Sequence, residues 1–383
     1  MTRPDARIVI AGDSIAGCTA ARELRALGHT GPITMIGSDP GGSYARPPLS
    51  KQVLSPRAGD APDSGVDCWD LTDLALTTTT SGAVGVDIVN RTVISGAGDT
   101  HPYDALILAT GAEARRLAAP GQSGELVLRT QADARRLGTA LRTASSAIVV
   151  GAGFLGMEVA SACIAHGVEV TVVDVDPPLR RLLGGYLSRV ITERADATAG
   201  LHIQHAAAPV TLIGDTVDGV FIDGTDHRAE LVVTCVGDTP NINWLEGTGL
   251  ADSQGVGIDG DCATSVPTVF AAGDVTYRRD RHLPAVRTPF WSNAIAQGKV
   301  AAASALAIAP TCPPVDDYFW TEVLGMSIKI VGPVPPHGAP TVLDGSVEAG
   351  SALLEWVNQD GRKTIAAYGK KLPIGKLRAL ARS

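Results

Sequence analysis

Gly151, Gly153 and Gly156 lie in the stretch IVVGAGFLGMEVASACIAHGVEVTVVDVD, between an apolar run from Ile148 and a second apolar run that closes on Asp174. Glycines at this spacing suit a turn whose first member bends tightly, whose second admits a pyrophosphate to the backbone, and whose third lets the next helix pack close. An acid about 20 residues further on accepts hydrogen bonds from a ribose 2′-hydroxyl and repels a 2′-phosphate. Asp174 therefore points to NADH rather than NADPH. Arg180 and Arg181 are the opposing signal, and as the solvated start of a helix they leave the choice with Asp174.

The same pattern opens the chain. RIVIAGDSIAGCTAARELRALGHTGPITMIGSD reads as a buried strand over 7–11, a turn with Gly12, Ser14 and Gly17, an Ala- and Leu-rich helix, and a strand over 33–36. Ser14 replaces the second glycine, and a serine is small enough for the close approach required there. Ser38 and Asp39, after the second strand, are the matching ribose contacts. One such turn alone could serve ordinary strand–helix packing. Two complete strand–turn–helix–strand units point to two dinucleotide sites.

Three further apolar strands are expected to end at small residues. YDALILATGAEARRL reaches Ala109, Thr110 and Gly111; TVFAAGDVTYRRD ends in Gly273 and Asp274 before an Ala-rich helix over 294–307; LVVTCVGDTPN carries Gly237. Any Gly-Asp pair makes a tight turn, but an aspartate after a buried strand also suits a ribityl or ribose hydroxyl. The 383 residues are enough for two or three domains with real cores. A net charge of −8 argues against general nucleic-acid binding. No apolar run approaches the ~18 residues of a membrane span, and the first strand starts too early for a signal peptide, so the cytoplasm is the expected location. The six cysteines (Cys18, Cys68, Cys163, Cys235, Cys262 and Cys312) make no C-x-x-C pair and fit no zinc spacing. They read as inert reduced thiols, and no metal site is expected.

With these pieces in place the chain resembles the FAD-dependent pyridine-nucleotide oxidoreductases, in the ferredoxin reductase branch that includes putidaredoxin reductase, rubredoxin reductase and the reductases of aromatic-ring dioxygenases. The resemblance runs from about 7 to 332. It is carried by SYARPPLSKQVL (Ser43–Leu54), by the ATG and AAGD segments, by the W-x-N-A-x-x-Q-G of Trp291–Gly298, and by YFWTEVLGMSIKIVG around Trp320. The sequence departs from the family pattern at Pro289, where a glutamate is usual, in the surrounding 276–291 segment, and after Gly332.

The resemblance implies an α/β fold with two Rossmann-like domains, for FAD and NAD, plus a small α+β C-terminal domain. The FAD domain would comprise 1–115 and 239–308, the NAD domain 116–238, and the interface domain 309–383. Gly12, Ser14 and Gly17 would hold the FAD pyrophosphate, with Arg46 and Lys51 near pyrophosphate and flavin, Val84 by the adenine, Ala109, Thr110 and Gly111 beside the cofactor, and Asp274 on the ribityl chain. Trp291 and Trp320 would sit near the flavin and the nicotinamide entry. Gly151, Gly153, Gly156 and Glu158 would belong to the NADH site. Lys51 would stabilise the reduced, anionic isoalloxazine by charge. Glu158 would pair with Lys51, guide the nicotinamide, or serve as a plain helix residue.

The activity implied is NADH-driven reduction, through FAD, of a [2Fe–2S] ferredoxin serving a monooxygenase or dioxygenase, by a monomer or weak homodimer. The basic stretches with Arg278, Arg279 and Arg281, and with Lys370, Lys371, Lys376 and Arg378, are candidate docking charges. A disulfide reductase would need a cysteine pair after the first turn, which is missing. A flavin-dependent oxidase or monooxygenase acting directly on a small molecule remains an alternative because of the altered 276–291 segment, as does a redox-sensing flavoprotein.

Overall fold

The computed structural model describes residues 5–39, 41–56, 66, 68–279, 287–315 and 317–383. They form two compact units, one drawn from 1–45, 67–113 and 239–316 and the other from 46–66, 114–238 and 317–383.

The first unit is built on a five-stranded parallel sheet in the order Val269–Ala271, Ala105–Leu108, Ile8–Ala11, Ile33–Ile36, Leu76–Thr79. Ile8–Ala11 and Ala105–Leu108 are buried at every position. That is why they read as unbroken apolar runs: a parallel sheet covered on both faces has no polar side to alternate with. The strand order reverses at Ile8–Ala11, since the chain continues to one side through Ile33–Ile36 and returns on the other at Ala105–Leu108. The crevice beyond the carboxyl ends at such a reversal is where ligands of open α/β sheets bind. Helix Ile15–Ala26 packs on the sheet through Ala16, Ala20, Ala21 and Leu24, a one-faced stripe of small and apolar residues.

The expected helix over 294–307 is Trp291–Ala305, starting three residues earlier. Its polar opening is a tertiary effect: Ser292 and Asn293 are buried, and the Asn293 amide donates to the Thr288 carbonyl at 3.1 Å. Gly298 lets this helix cross Ile15–Ala26 closely, since a Cβ there would lie 2.6 Å from the Ala16 carbonyl oxygen. The glycine of the W-x-N-A-x-x-Q-G stretch thus has a packing reason.

The second unit contains a four-stranded parallel sheet in the order Leu201–His205, Glu169–Asp174, Ser146–Val150, Leu231–Thr234. Its order reverses at Ser146–Val150, directly before the second glycine turn. The same unit holds a five-stranded antiparallel sheet in the order Tyr318–Val323, Met326–Val331, Lys363–Tyr368, Ser351–Val357, Thr341–Ser346. Helix Ile374–Arg382 closes its core by burying Leu377 among Tyr318, Val331, Leu353, Ile365 and Ala367. The mixed α+β character expected for the C-terminal part is therefore present. The 46–66 segment and residues 317–383 fall in the same unit as 114–238.

Candidate functional site

At the first turn Gly12 has φ +120°, and a Cβ on it would lie 2.0 Å from the Ala109 carbonyl oxygen. A Cβ on Gly17 would lie equally close, 2.0 Å, to the Gly12 carbonyl oxygen. The turn is pinned by the Gly12 amide donating to Ile36 at 2.8 Å and the Ala109 amide donating to Ala11 at 2.7 Å. Ser14 caps the following helix in an extended conformation without using its side chain, so the helix amides are left to a ligand. Gly273 has φ +82°, and a Cβ there would lie 2.9 Å from the Ala16 Cβ. The Gly-Asp turn thus rests on the start of the same helix, and Asp274 falls beside the first glycine turn. Gln297 fixes it, accepting from the Gly273 amide at 2.7 Å and from Thr276 Oγ1 at 3.1 Å. Gly12 and Gly17 let the turn pack flat against its neighbours, and the helix amides that Ser14 leaves uncapped fit a pyrophosphate at a helix N-terminus.

The other expected contacts of this unit divide. Thr110 turns to Asn241, donating to its carbonyl at 2.9 Å while the Asn241 amide donates back at 2.9 Å, and Gly111 accepts from the Asn241 backbone at 3.0 Å. Val84 is 57% exposed, in a separate antiparallel sheet, and Trp291 is 37% exposed at the head of its helix. Ser38 is exposed. Asp39 folds back on its own loop, accepting from Tyr44 Oη at 2.5 Å and from the Gly41 amide at 2.9 Å.

The second turn repeats the construction. Gly151 has φ +110°, and its Cβ would lie 2.3 Å from the Cys235 carbonyl oxygen; a Cβ on Gly156 would lie 1.8 Å from the Gly151 carbonyl oxygen. A Cβ on Gly153 would meet nothing within 4 Å, which leaves the backbone open to an approaching ligand. Asp174 does more than end its strand: its carboxylate accepts from the Ala152 amide at 2.6 Å and the Asp176 amide at 3.0 Å. Those two bonds hold the turn and aim the carboxylate, and its remaining lone pairs can still serve a ribose. Arg181 is spent on an exposed pair with Asp176 at 2.5 Å, while Arg180 is exposed. Gly237, at φ +97°, leaves open space after strand Leu231–Thr234 and accepts from the Arg115 amide at 3.0 Å.

Within the second unit the structure joins two of the expected catalytic residues. Lys51 follows the short 3-10 turn Pro47–Ser50, and Glu158 stands on the inner face of helix Phe154–Ala165, only 3% exposed. Lys51 Nζ donates to Glu158 Oε2 at 2.8 Å. Ser50 Oγ donates to the same oxygen at 2.5 Å, and Thr321 Oγ1 donates to Oε1 at 2.8 Å. A buried carboxylate is tolerable only when its charge is compensated and its lone pairs are filled, and here both conditions hold. Arg46 begins the same segment, donating to the Arg129 carbonyl at 3.2 Å. Trp320, half-buried in strand Tyr318–Val323, stacks on Tyr318 with centroids 5.7 Å apart. The sequence reading left the partner of Glu158 open and passed over Ser50 and Thr321, although each adjoins a residue it had singled out.

Cys18, Cys68, Cys163, Cys235 and Cys262 are free thiols. Loss of water around the thiols pushes Cys18 up to about 11 and Cys163 and Cys235 up to about 12, and burial drives Cys262 upward as well. Thiols held protonated are poor nucleophiles. Among the described residues no group of His, Cys, Asp and Glu could hold a metal ion, and no helix is long and apolar enough to cross a membrane. Arg278 and Arg279 are exposed, and Arg281 lies outside the described residues.

Two switch-point cradles and a buried cation–carboxylate pair define an oxidoreductase of the two-dinucleotide class. The chain belongs to the pyridine nucleotide-disulphide oxidoreductase family, whose model matches residues 6–298, and which uses FAD and NAD(H). It is similar to the biphenyl dioxygenase system ferredoxin–NAD(+) reductase component of Paraburkholderia xenovorans (strain LB400), 33% identical over 370 residues that cover 90% of this chain and 89% of that one. It is also similar to rhodocoxin reductase of Rhodococcus erythropolis, 33% identical over 366 residues, covering 90% and 82% of the two chains. The ferredoxin reductase for the CYP199A2 system from Rhodopseudomonas palustris superposes with a TM-score of 0.85 at 28% identity, over 95% of this chain and 91% of that one.

Proposed function

We propose that the protein is an NADH:ferredoxin oxidoreductase that works in the cytoplasm and delivers electrons to a [2Fe–2S] ferredoxin serving a monooxygenase or dioxygenase. The observation that carries the reading is the pairing of two dinucleotide cradles with Cys18, Cys163 and Cys235 as free thiols held protonated. A chain that takes a hydride and has no cysteine pair to reduce must pass the electrons outside itself. The similarity to reductase components of biphenyl dioxygenase and CYP199A2 systems supports an iron–sulfur acceptor.

FAD, when bound, supplies the conversion from a two-electron hydride donor to one-electron acceptors. The residues of this chain hold and tune it. We assign the Gly12–Ser14–Gly17 turn, Ala109 and Asp274 to FAD, and the Gly151–Gly153–Gly156 turn with Asp174 to NADH. Lys51 is the cation of the redox site. Glu158 fixes its ammonium in place, and Ser50 and Thr321 fix Glu158, in a place from which water is largely excluded. Residues 309–383 are assigned to the partner interface.

The test compares three acceptors with NADH as donor: a [2Fe–2S] ferredoxin, ferricyanide and oxygen. Fast ferredoxin and ferricyanide reduction with slow oxygen consumption is the expected result. Oxygen consumption that keeps pace with NADH oxidation, with no ferredoxin reduced, overturns the proposal in favour of an oxidase.

A further inference from the structure

Glu125 is a carboxylate at the head of an apolar run. Leu126, Val127 and Leu128 follow it and are buried, and Glu125 itself is only 6% exposed. This segment runs beside strand Leu231–Thr234: the Leu126 amide donates to the Val232 carbonyl at 3.0 Å, and the Thr234 amide donates to the Leu126 carbonyl at 2.8 Å. Glu125 Oε1 accepts from Thr234 Oγ1 at 2.6 Å and from the Leu117 amide at 2.7 Å, while Arg116 Nη1 stands 3.6 Å from Oε2. The segment is tied down on its other side, where the Ser123 amide donates to Asp215 at 2.9 Å and the Ser123 carbonyl accepts from the Val217 amide at 2.7 Å. Thr234 is the last residue of its strand. Cys235, the next residue, sets its carbonyl oxygen where a Cβ on Gly151 would lie only 2.3 Å away. A buried charge is costly, and an apolar residue of similar volume often serves stability as well, so stability alone does not account for a carboxylate at this position.

We infer that Glu125 is a positioning residue for the nicotinamide half of NADH: by holding Thr234 it fixes the backbone of Cys235, Val236 and Gly237, over which that half lies. The inference rests on the placement of NADH at the Gly151 turn. A dinucleotide with its pyrophosphate on that turn and its adenosine ribose at Asp174 must send its other half across the reversal in strand order, over the end of Leu231–Thr234. The backbone there is bare, since a Cβ on Gly237 would meet nothing within 4 Å. The adenosine side is held without Glu125: the Gly151 amide donates to Val173 at 2.7 Å and the Ala152 amide donates to the Asp174 carboxylate at 2.6 Å. Releasing Thr234 therefore loosens the floor under the nicotinamide and leaves the seat of the adenosine half in place.

The test titrates the FAD-loaded protein calorimetrically with two ligands: tetrahydro-NAD, which keeps the nicotinamide half but gives up no hydride, and ADP-ribose, which lacks the ring. Glu125→Leu removes the acceptor at similar volume. It is expected to raise the Kd of tetrahydro-NAD at least about tenfold and to change that of ADP-ribose less than about twofold. Thr234→Val, which exchanges one hydroxyl for a methyl, should show the same selective loss and decides the matter if Glu125→Leu does not fold. Glu125→Gln keeps an oxygen for Leu117 and Thr234 and should hold both Kd values within about threefold of the wild type. An unchanged Kd for tetrahydro-NAD in Thr234→Val overturns the inference, and so does an equal loss for both ligands, which marks a merely structural role. A Glu125→Gln variant as weak as Glu125→Leu overturns it too. Gly151→Val separates the levels of failure. If it loses both ligands while Thr234→Val loses neither, the role of Glu125 alone falls; if it still binds both, the placement of NADH falls with it.

Discussion

Glu158→Gln keeps the shape of a buried side chain and removes its charge, and the surroundings set the cost. Glu158 Oε2 faces Lys51 Nζ and Ser50 Oγ, while Oε1 faces Thr321 Oγ1. A glutamine can turn its oxygen to only one side. If its NH2 faces Lys51, two donors oppose each other; if it faces Thr321, that hydroxyl must reverse and the nearby Glu322 amide, 3.4 Å from Oε1, meets another donor. Removing one partner of a buried pair costs ~3–5 kcal/mol. The Lys51 side chain is 16% exposed, so some water reaches the ammonium, and the low end, about 3 kcal/mol, is the expected loss. That corresponds to roughly a hundredfold in the unfolding constant.

Urea unfolding followed by far-UV circular dichroism measures it, with each transition fitted separately because a protein of two units need not unfold in one step. The double variant Lys51→Met/Glu158→Leu adds the deciding comparison. Apolar residues of similar volume often replace a buried pair at little cost, so stability should return to within about 1 kcal/mol of the wild type. NADH-driven turnover should stay at least about tenfold low, a barrier increase of about 1.4 kcal/mol. A loss below about 0.5 kcal/mol in Glu158→Gln would refute the buried network as described. Full turnover in the double variant would show that the charge of Lys51 plays no part in the chemistry.

Other outcomes follow from the same geometry. The wild type should prefer NADH over NADPH at least about tenfold in kcat/KM, and Asp174→Asn should narrow that gap; equal use of NADPH by the wild type would hand the choice to Arg180. Reversing Arg278 and Arg279 to Glu should slow ferredoxin reduction, most steeply at low salt, and leave ferricyanide reduction nearly unchanged; identical responses of the two acceptors would remove these arginines from the docking face. At pH 8 a thiol that titrates near 11 is only about one-thousandth thiolate, so iodoacetamide should label exposed Cys68 well before Cys18 or Cys163 in the native protein, with labelling of the buried pair rising as the pH is raised. Peptide mapping that found Cys18 modified first would contradict the burial.

Much of this protein was legible before its fold was known, because the signals are local. A buried strand, a glycine turn and a helix announce themselves within some 30 residues through a change from unbroken to helical apolar spacing. Gly12, Gly17, Gly151 and Gly156 are dictated by contacts that a Cβ would obstruct, so their type alone carries the message. Strand Glu169–Asp174 could be read to its last residue for the same reason. What lies far apart along the chain could not be read. Glu158 and Lys51 are separated by 107 positions, and Thr321 by a further 163; no periodicity encodes which hydroxyl will fill which lone pair. Asp39 follows the right strand, but no spacing announces that its carboxylate accepts from Tyr44 and Gly41 on its own loop. Asp13, which the glycine spacing does not single out, sets its carboxylate against Gly37 at the end of that strand. The direction in which a short side chain points depends on backbone angles set by the packing of two strands. Only the folded chain decides what each of these carboxylates rests against.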